Sequence, residues 1–281
     1  MITYKEYYEI CKKSYKNDLK TGKNLYDFTY ETPNIAQFGE EYLPLVADIS
    51  SFLKKKYLDE DNIFHIPGQN PEKQPLCRYK KPWEIPNIEK LANILIPYVE
   101  KTIFNCNLYA MSAYAYKTRP GSYNSKSVGS LTWHIDNHPK EIMKIMVYLE
   151  DVDETSGPFQ VLDKEGSGYK VKTTRVDHTD WTDRNPQTRY TDSQINNYRT
   201  LEYAPKNLTG PAGTVIIFDN NIIHRATLCD KKERSVVTFM VKPIDRKVRP
   251  YISKKHTGTN YHEDVFKDPA HFGAIKRSEW E

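Results

Sequence analysis

His134 and Asp136 are separated by one residue, and both carry side chains that bind metal ions. Residues two apart on a β-strand point to the same face, so this pair can offer an imidazole and a carboxylate to one ion. Two histidines and one carboxylate on one face of a metal leave its other positions open for a small molecule and oxygen. We predict that His224, far away in the sequence, is the third ligand.

The chain contains three such pairs, so the pattern alone does not identify the site. They begin at His134, His178 and His262. His134 lies just before an apolar, strand-like run at 142–149, whereas the other two pairs lie in a polar segment and near the C-terminus. A pair of metal ligands needs a rigid support, and this favours His134 and Asp136.

Arg234 opens a second strand-like run ten residues after His224. Alternation along a strand places Arg234 on the same face as Val236 and Thr238. An arginine that points into a barrel is strongly unfavourable unless an anion pairs with it. Because the guanidinium group matches a carboxylate bidentately, we predict that Arg234 binds a dicarboxylate. Taken singly, His224 could bond only to backbone and Arg234 could lie in an exposed turn, but their joint arrangement favours a site.

The elements around these residues change character near Asn107. Earlier in the chain, helical spacing of apolar residues predicts helices over 36–57 and 88–104, interrupted by Pro44 and Pro97. Later, short runs of β-branched and aromatic residues alternate with turn residues, which is typical of a sandwich or barrel. The predicted strands are 108–116, 142–149, 159–162, 214–218 and 236–241.

Composition excludes several classes of protein. The 281 residues include 41 Lys and Arg and 37 Asp and Glu, a balance too even for a nucleic-acid binder. The four cysteines form no CxxC pair, and no apolar run reaches the ~20 residues that span a bilayer. The first residues lack the apolar core of a signal peptide. We expect a cytoplasmic protein that acts on a small molecule, away from membranes.

Three segments together resemble a known family. They are Trp133–Asp136, Val147–Phe159 and Gly213–Phe218, the last leading to His224 and Arg234. In order and spacing they are similar to the phytanoyl-CoA dioxygenase-like branch of the Fe(II)/2-oxoglutarate oxygenases. The resemblance implies a mainly β fold, a double-stranded β-helix or jelly roll, flanked by α-helices. It also implies that His134, Asp136 and His224 bind iron and that Arg234 binds 2-oxoglutarate, with Tyr116 and Lys117 as further co-substrate contacts.

The resemblance also divides the chain and suggests substrate contacts. We expect one oxygenase domain over 1–281, with a largely helical part at 1–107, a jelly-roll core at 108–243 and a tail at 244–281. The polar segment 163–205 reads as an insertion that borders the site. Residues that could face the substrate, or could be merely structural or solvent-facing, are Asn137, His138, Arg175 and Trp181.

The reaction implied is oxidation of the substrate with O2, coupled to conversion of 2-oxoglutarate to succinate and CO2. Hydroxylation of an unactivated C–H bond is the expected outcome, since halogenases of this type lack the carboxylate ligand that Asp136 supplies. Two alternatives come from other classes of protein. A cupin-like metal enzyme that does not use 2-oxoglutarate would not need Arg234, and a carbohydrate-binding jelly roll would not need the metal ligands.

Overall fold

The computed structural model describes residues 28–64, 76–104, 107–120, 129–136, 142–171 and 188–243. The α-helices in these ranges are α1 (Tyr42–Lys56), α2 (Ile88–Val99) and α3 (Asp192–Asn197). The strands are β1 (Tyr30–Glu31), β2 (Ile63–Phe64), β3 (Leu76–Tyr79), β4 (Leu108–Thr118), β5 (Trp133–His134), β6 (Met143–Tyr148), β7 (Phe159–Lys164), β8 (Ser167–Gly168), β9 (Arg189–Tyr190), β10 (Ala204–Leu208), β11 (Val215–Asp219), β12 (His224–Ala226) and β13 (Arg234–Pro243).

The strands form two antiparallel sheets. The larger sheet has the order β1-β11-β6-β13-β4-β3-β2, and the smaller has the order β10-β7-β12-β5-β9, with β8 paired to β7. Consecutive strands often lie in different sheets, as β5 and β6 do, so the chain passes repeatedly between them. Two such sheets facing each other make a jelly roll, and the predicted fold class is confirmed.

Alternation along the strands of the larger sheet separates two apolar layers. In β6, Ile145 and Val147 pack on the side of the helices, whereas Met146 and Tyr148 pack between the sheets. This period of two is what a strand with both faces covered requires. The layer between the sheets is the one that also contains Phe159 and Phe218, and it forms the floor of the site described below.

Helices α1 and α2 cover the outer face of the larger sheet. The predicted helix over 36–57 begins later, because Gly39 adopts a φ of 80° and separates a 3₁₀ turn at Ile35–Phe38 from α1. Pro44 lies in the first turn of α1, where a missing N–H costs nothing. Pro97 lies near the end of α2, which continues as a π-helical turn at Glu100–Phe104.

The segment 163–205 contributes to the outer side of the smaller sheet. It supplies β8, β9, α3 and the start of β10, while residues 172–187 lie outside the described ranges. Ile195 of α3 packs with Trp133 and Leu162 on the sheet face that points away from the other sheet. None of the helices described is both long and apolar enough to cross a lipid bilayer.

Candidate metal centre and anion pocket

The three predicted metal ligands lie together between the sheets. His134 and His224 are directly opposed in the antiparallel pair of β5 and β12, and their rings are 4.3 Å apart between centroids. Asp136 Oδ1 lies 3.8 Å from His134 Nε2, and its Oδ2 lies 3.7 Å from His224 Nε2. All three ligand atoms are within 4.8 Å of one another, so one ion can contact all of them.

Both histidines are oriented in the same way by their own strands. His134 Nδ1 lies 2.8 Å from the carbonyl oxygen of Thr132, and His224 Nδ1 lies 2.8 Å from that of Ile222. Since a carbonyl oxygen only accepts, Nδ1 carries the proton and Nε2 presents its lone pair. This second contact is what fixes the ring and the tautomer of a metal-binding histidine.

Burial keeps both imidazoles neutral. Desolvation holds the pKa of His134 well below its usual range, and it lowers the pKa of His224 to about 4. The carboxylate of Asp136 opposes this effect at both rings but does not overcome it. A metal binds the neutral imidazole, so the two histidines are ready to bind an ion at neutral pH.

The backbone around Asp136 is held by neighbouring strands. Its N–H donates to the carbonyl oxygen of Asn220 (2.8 Å), and the N–H of Ile135 donates to that of Thr188 (3.0 Å). The amide group of Asn220 donates in turn to the carbonyl oxygen of Ile142 (2.7 Å). The turn after β11 thereby fixes Asp136 relative to β6 and the two histidines.

Lys144 contacts the carboxylate of Asp136 from the larger sheet. Its Nζ lies 2.7 Å from Asp136 Oδ2, and its side chain is 13% exposed. Lys144 shares its face of β6 with Met146 and Tyr148, so alternation directs it between the sheets. Pairing with Lys144 stabilises the ionised form of Asp136 and orients Oδ2 of its carboxylate.

Arg234 is wholly buried, and most of its guanidinium group lacks a partner. It is 0% exposed, and Nη2 donates to Thr118 Oγ1 at 3.2 Å. Within the ranges described, Nε and Nη1 have no hydrogen-bond acceptor. An unpaired buried cation is costly, and the fork of N–H groups fits an anion such as a carboxylate.

Arg234 and the triad both adjoin the apolar layer between the two sheets. Val236, on the same face of β13, belongs to the apolar layer between the sheets. Phe159 and Phe218 belong to that layer too, and their rings lie 5.2 Å and 5.4 Å from the ring of His224. The buried guanidinium group and the metal ligands therefore face the same apolar layer between the sheets.

Two tyrosines lie close to Arg234. Burial raises the pKa of Tyr148 to about 12 and also raises that of Tyr116, while the charge of Arg234 partly offsets both shifts. Both phenols therefore keep their protons at neutral pH. The Tyr148 hydroxyl donates to the carbonyl oxygen of Leu208 (2.7 Å) and accepts from the N–H of Phe159 (3.0 Å), which joins the two sheets beside the pocket.

The structure brings Tyr116 to the pocket but not Lys117. Lys117 follows Tyr116 on β4 and points to the opposite face, contrary to the prediction, because successive residues of a strand alternate. Its Nζ pairs with Glu233 at 3.1 Å and lies 5.3 Å from the ring centre of Tyr57, on the side of α1. The predicted substrate contacts lie outside the described residues; they are Asn137, His138, Arg175 and Trp181. So do the pairs beginning at His178 and His262.

Arg189 is a second cation that the sequence patterns did not indicate. It lies on β9, the edge strand of the smaller sheet, and is the Cα partner of His134. Desolvation lowers the pKa of Arg189, and the carboxylate of Asp136 partly opposes this shift. The guanidinium group still keeps its charge, because the ordinary value is far above neutral pH.

The sequence analysis did not assign Lys144 or Arg189 to the site, and the reasons differ for the two residues. Lys144 interrupts the apolar run 142–149 two residues before Met146, and residues two apart on a strand lie on the same face. The sequence therefore carried a signal for a charged side chain that points inward. Arg189 lies at the end of a polar segment without periodicity, and its position follows only from the pairing of β9 with β5. That pairing depends on a long-range contact that no local pattern specifies.

Comparison with known proteins finds solved structures that are similar to this chain in fold. No protein-family model matches it, and no curated protein matches it in sequence. The resemblance to the phytanoyl-CoA dioxygenase-like branch therefore stays a prediction.

Among solved structures, the chain is similar to EctD from S. alaskensis. The crystal structure of EctD with 2-oxoglutarate and 5-hydroxyectoine has 16% sequence identity and a TM-score of 0.51, with 82% of this chain and 77% of that chain covered. The apoform has 16% identity and a TM-score of 0.50, with 80% and 77% covered. At this identity the likeness shows the fold, and it agrees with the two facing antiparallel sheets.

Proposed function

We propose that the chain is an Fe(II)/2-oxoglutarate-dependent oxygenase in which His134, Asp136 and His224 hold the iron. The observation that carries the proposal is the buried Arg234, whose Nε and Nη1 have no hydrogen-bond partner among the described residues and which faces the same apolar layer between the sheets as the triad. A metal site alone would not need this cation. Arg234 is the group that would receive the far carboxylate of 2-oxoglutarate, the compound with which the similar EctD was crystallised.

Each protein group has a separate task in this proposal. The two Nε2 atoms and the carboxylate of Asp136 would hold the metal, and three protein ligands would leave positions for 2-oxoglutarate and oxygen. Arg234 and the protonated phenol of Tyr116 orient the co-substrate from the opposite sheet. The apolar rings of Phe159 and Phe218 line the pocket and limit its water content, which strengthens the ion pairs within it.

The reaction proposed is hydroxylation of an unactivated C–H bond in a small molecule. Iron supplies the oxidising chemistry, with one atom of O2 entering succinate and the other the product, while CO2 is released from 2-oxoglutarate. The carboxylate of Asp136 would take the coordination position that a halide would need, which favours hydroxylation over halogenation. The protein positions the groups that react and excludes competing reactions.

Anaerobic titration with iron(II) and then 2-oxoglutarate tests this proposal. A weak visible charge-transfer band should appear when 2-oxoglutarate chelates the iron. His134→Ala should abolish iron binding, whereas Arg234→Met should bind iron and fail to form the band at the same concentration of 2-oxoglutarate. Lys117→Met is the matched control, because it removes a cation from the opposite face of β4, and it should form the band normally.

The outcomes separate the alternatives. Iron binding without a band in the unmodified protein would favour a cupin-like metal enzyme that does not use 2-oxoglutarate. Absence of iron binding would favour a carbohydrate-binding jelly roll. Loss of iron affinity in Arg234→Met, with 2-oxoglutarate binding retained, would show that the roles are assigned wrongly.

A further inference from the structure

Arg189 lies beside the triad but has no task in iron or 2-oxoglutarate binding as proposed above. As the Cα partner of His134, it projects from the same face of the smaller sheet, and paired side chains on one face are neighbours. The pairing is reinforced by the bond from the Ile135 N–H to the carbonyl oxygen of Thr188. Arg189 is thus held at the rim of the pocket by the strand that carries a metal ligand.

The guanidinium group of Arg189 is accessible and, in the part of the chain that the structure describes, has no fixed partner. The residue is exposed, and β9 is an edge strand, so nothing pairs with its outer side within the part of the chain described. None of the hydrogen bonds and ion pairs found among the described residues involves its side chain. Asp136 acts on it only as a nearby charge.

Counted over the described residues, the charges of the proposed complex leave this cation unbalanced. The charges of iron(II) and Arg234 are matched by the carboxylate of Asp136 and the two carboxylates of 2-oxoglutarate. Lys144 and Arg189 then add two positive charges close to the metal, and like charges at short range repel one another. Lys144 is directed to Asp136 at 2.7 Å, which leaves Arg189 as the cation that faces incoming molecules.

We infer that Arg189 binds an anionic group of the substrate, so that the substrate is a small molecule with a carboxylate or a phosphate. The inference rests on the proposed function and deepens it. Arg189 holds the anionic end at the rim through a charge-assisted, bidentate contact. The rest of the substrate extends inward, and the C–H bond that reacts lies beyond the anchored group.

Binding of simple anions near a paramagnetic ion tests this inference without requiring the substrate. The protein is loaded with Mn(II) and 2-oxoglutarate, and relaxation of the ³¹P nucleus of inorganic phosphate and of the methyl protons of acetate is measured. An anion held at Arg189 relaxes faster because the metal is near. We expect the apparent Kd for the preferred anion to rise by about tenfold in Arg189→Gln, as loss of a charge-assisted hydrogen bond predicts.

Two further variants act as controls. Arg189→Lys keeps the charge and should retain part of the affinity, and Arg199→Gln removes an exposed arginine from the turn after α3 and should change nothing. Anions that coordinate Mn(II) directly would do so equally in all variants, so the difference between variants isolates Arg189. The anion with the larger difference identifies the class of substrate.

Failure of the inference is distinguishable from failure of the proposed function. If Mn(II) and 2-oxoglutarate bind normally but Arg189→Gln leaves relaxation by both anions unchanged, the inference is overturned and the proposed function stands. If Arg189→Gln instead weakens 2-oxoglutarate as strongly as Arg234→Met does, Arg189 belongs to the co-substrate site. If Mn(II) does not bind to the unmodified protein, both fail together.

Discussion

At the scale of single residues, the site between the sheets contains charged side chains where apolar side chains would make the fold more stable. Arg234 is fully buried and satisfies only one of its N–H groups among the described residues. Such a residue lowers the stability of the free protein, and the proposed binding of 2-oxoglutarate would give it a partner. Function and stability therefore oppose each other at this position, as is common for binding sites.

Replacing Arg234 by Met should separate these two effects. We expect Arg234→Met to raise the free energy of unfolding of the metal-free protein by about 1–3 kcal/mol, because an unpaired buried charge is replaced by apolar volume. The same variant should lose 2-oxoglutarate binding. Urea unfolding measures the first effect, and Arg199→Met, at an exposed arginine, should stay within about 0.5 kcal/mol. A clear loss of stability in Arg234→Met would mean that the guanidinium group has partners beyond Thr118.

At the scale of elements, the loop before β7 is packed against the segment between β12 and β13. Gly157 adopts a φ of 68°, and a Cβ there would lie 2.7 Å from the carbonyl oxygen of Thr227 and 2.9 Å from the N–H of Cys229. These are backbone atoms that cannot move aside without shifting the segment that leads to Arg234. The close contact of Gly157 with the backbone of Thr227 and Cys229 fixes where β13 begins relative to β7.

Two alanine substitutions test this close approach. We expect Gly157→Ala to destabilise the fold by about 2–4 kcal/mol, since it combines left-handed strain with a steric clash. Gly166→Ala, in the turn between β7 and β8, has a φ of 85° but no atom within 4 Å of the added Cβ. It should cost only about 1 kcal/mol from backbone strain. Equal losses in chemical denaturation would show that the clash is relieved by small movements.

The elements also show what the sequence could and could not reveal. The predicted strands at 142–149 and 214–218 lie within one residue of β6 and β11, because buried central strands are mostly apolar along their length. The interior face of β13 followed from alternation, and so did Arg234. Lys117 was misplaced because the prediction took two adjacent residues of β4 as co-substrate contacts, whereas a strand turns only one of them inward. Arg189 depended on the pairing of β9 with β5 and could not be predicted locally.

At the scale of the whole molecule, the two sheets are joined by side chains around the pocket. The triad comes from the smaller sheet and the segment that follows it, whereas Arg234, Tyr148 and Lys144 come from the larger sheet. A metal and a dicarboxylate bound between them would connect the sheets through additional contacts. Ligands that bind only the folded state stabilise it by an amount that grows with the logarithm of the ratio of ligand concentration to Kd.

Thermal unfolding should therefore respond to both ligands in turn. With Ni(II), which can replace iron without redox chemistry, at 100 times its Kd, we expect about 2.7 kcal/mol of added stability. Addition of 2-oxoglutarate should raise Tm further. His134→Ala should remove both increments, and Arg234→Met only the second. An increment from 2-oxoglutarate without metal, or in Arg234→Met, would place the co-substrate elsewhere.

The attachment of β9 has a consequence for how such a protein can diversify. The metal ligands lie on or directly beside strands of the jelly roll, whereas Arg189 belongs to a segment inserted between β8 and α3 and is joined to β5 through only two paired positions. If Arg189 binds the substrate as proposed, exchange of that segment would alter which molecules are accepted without changing the residues proposed to bind the metal. Substrate recognition and metal chemistry could then evolve separately, and one core could acquire new specificities by replacement of an edge strand.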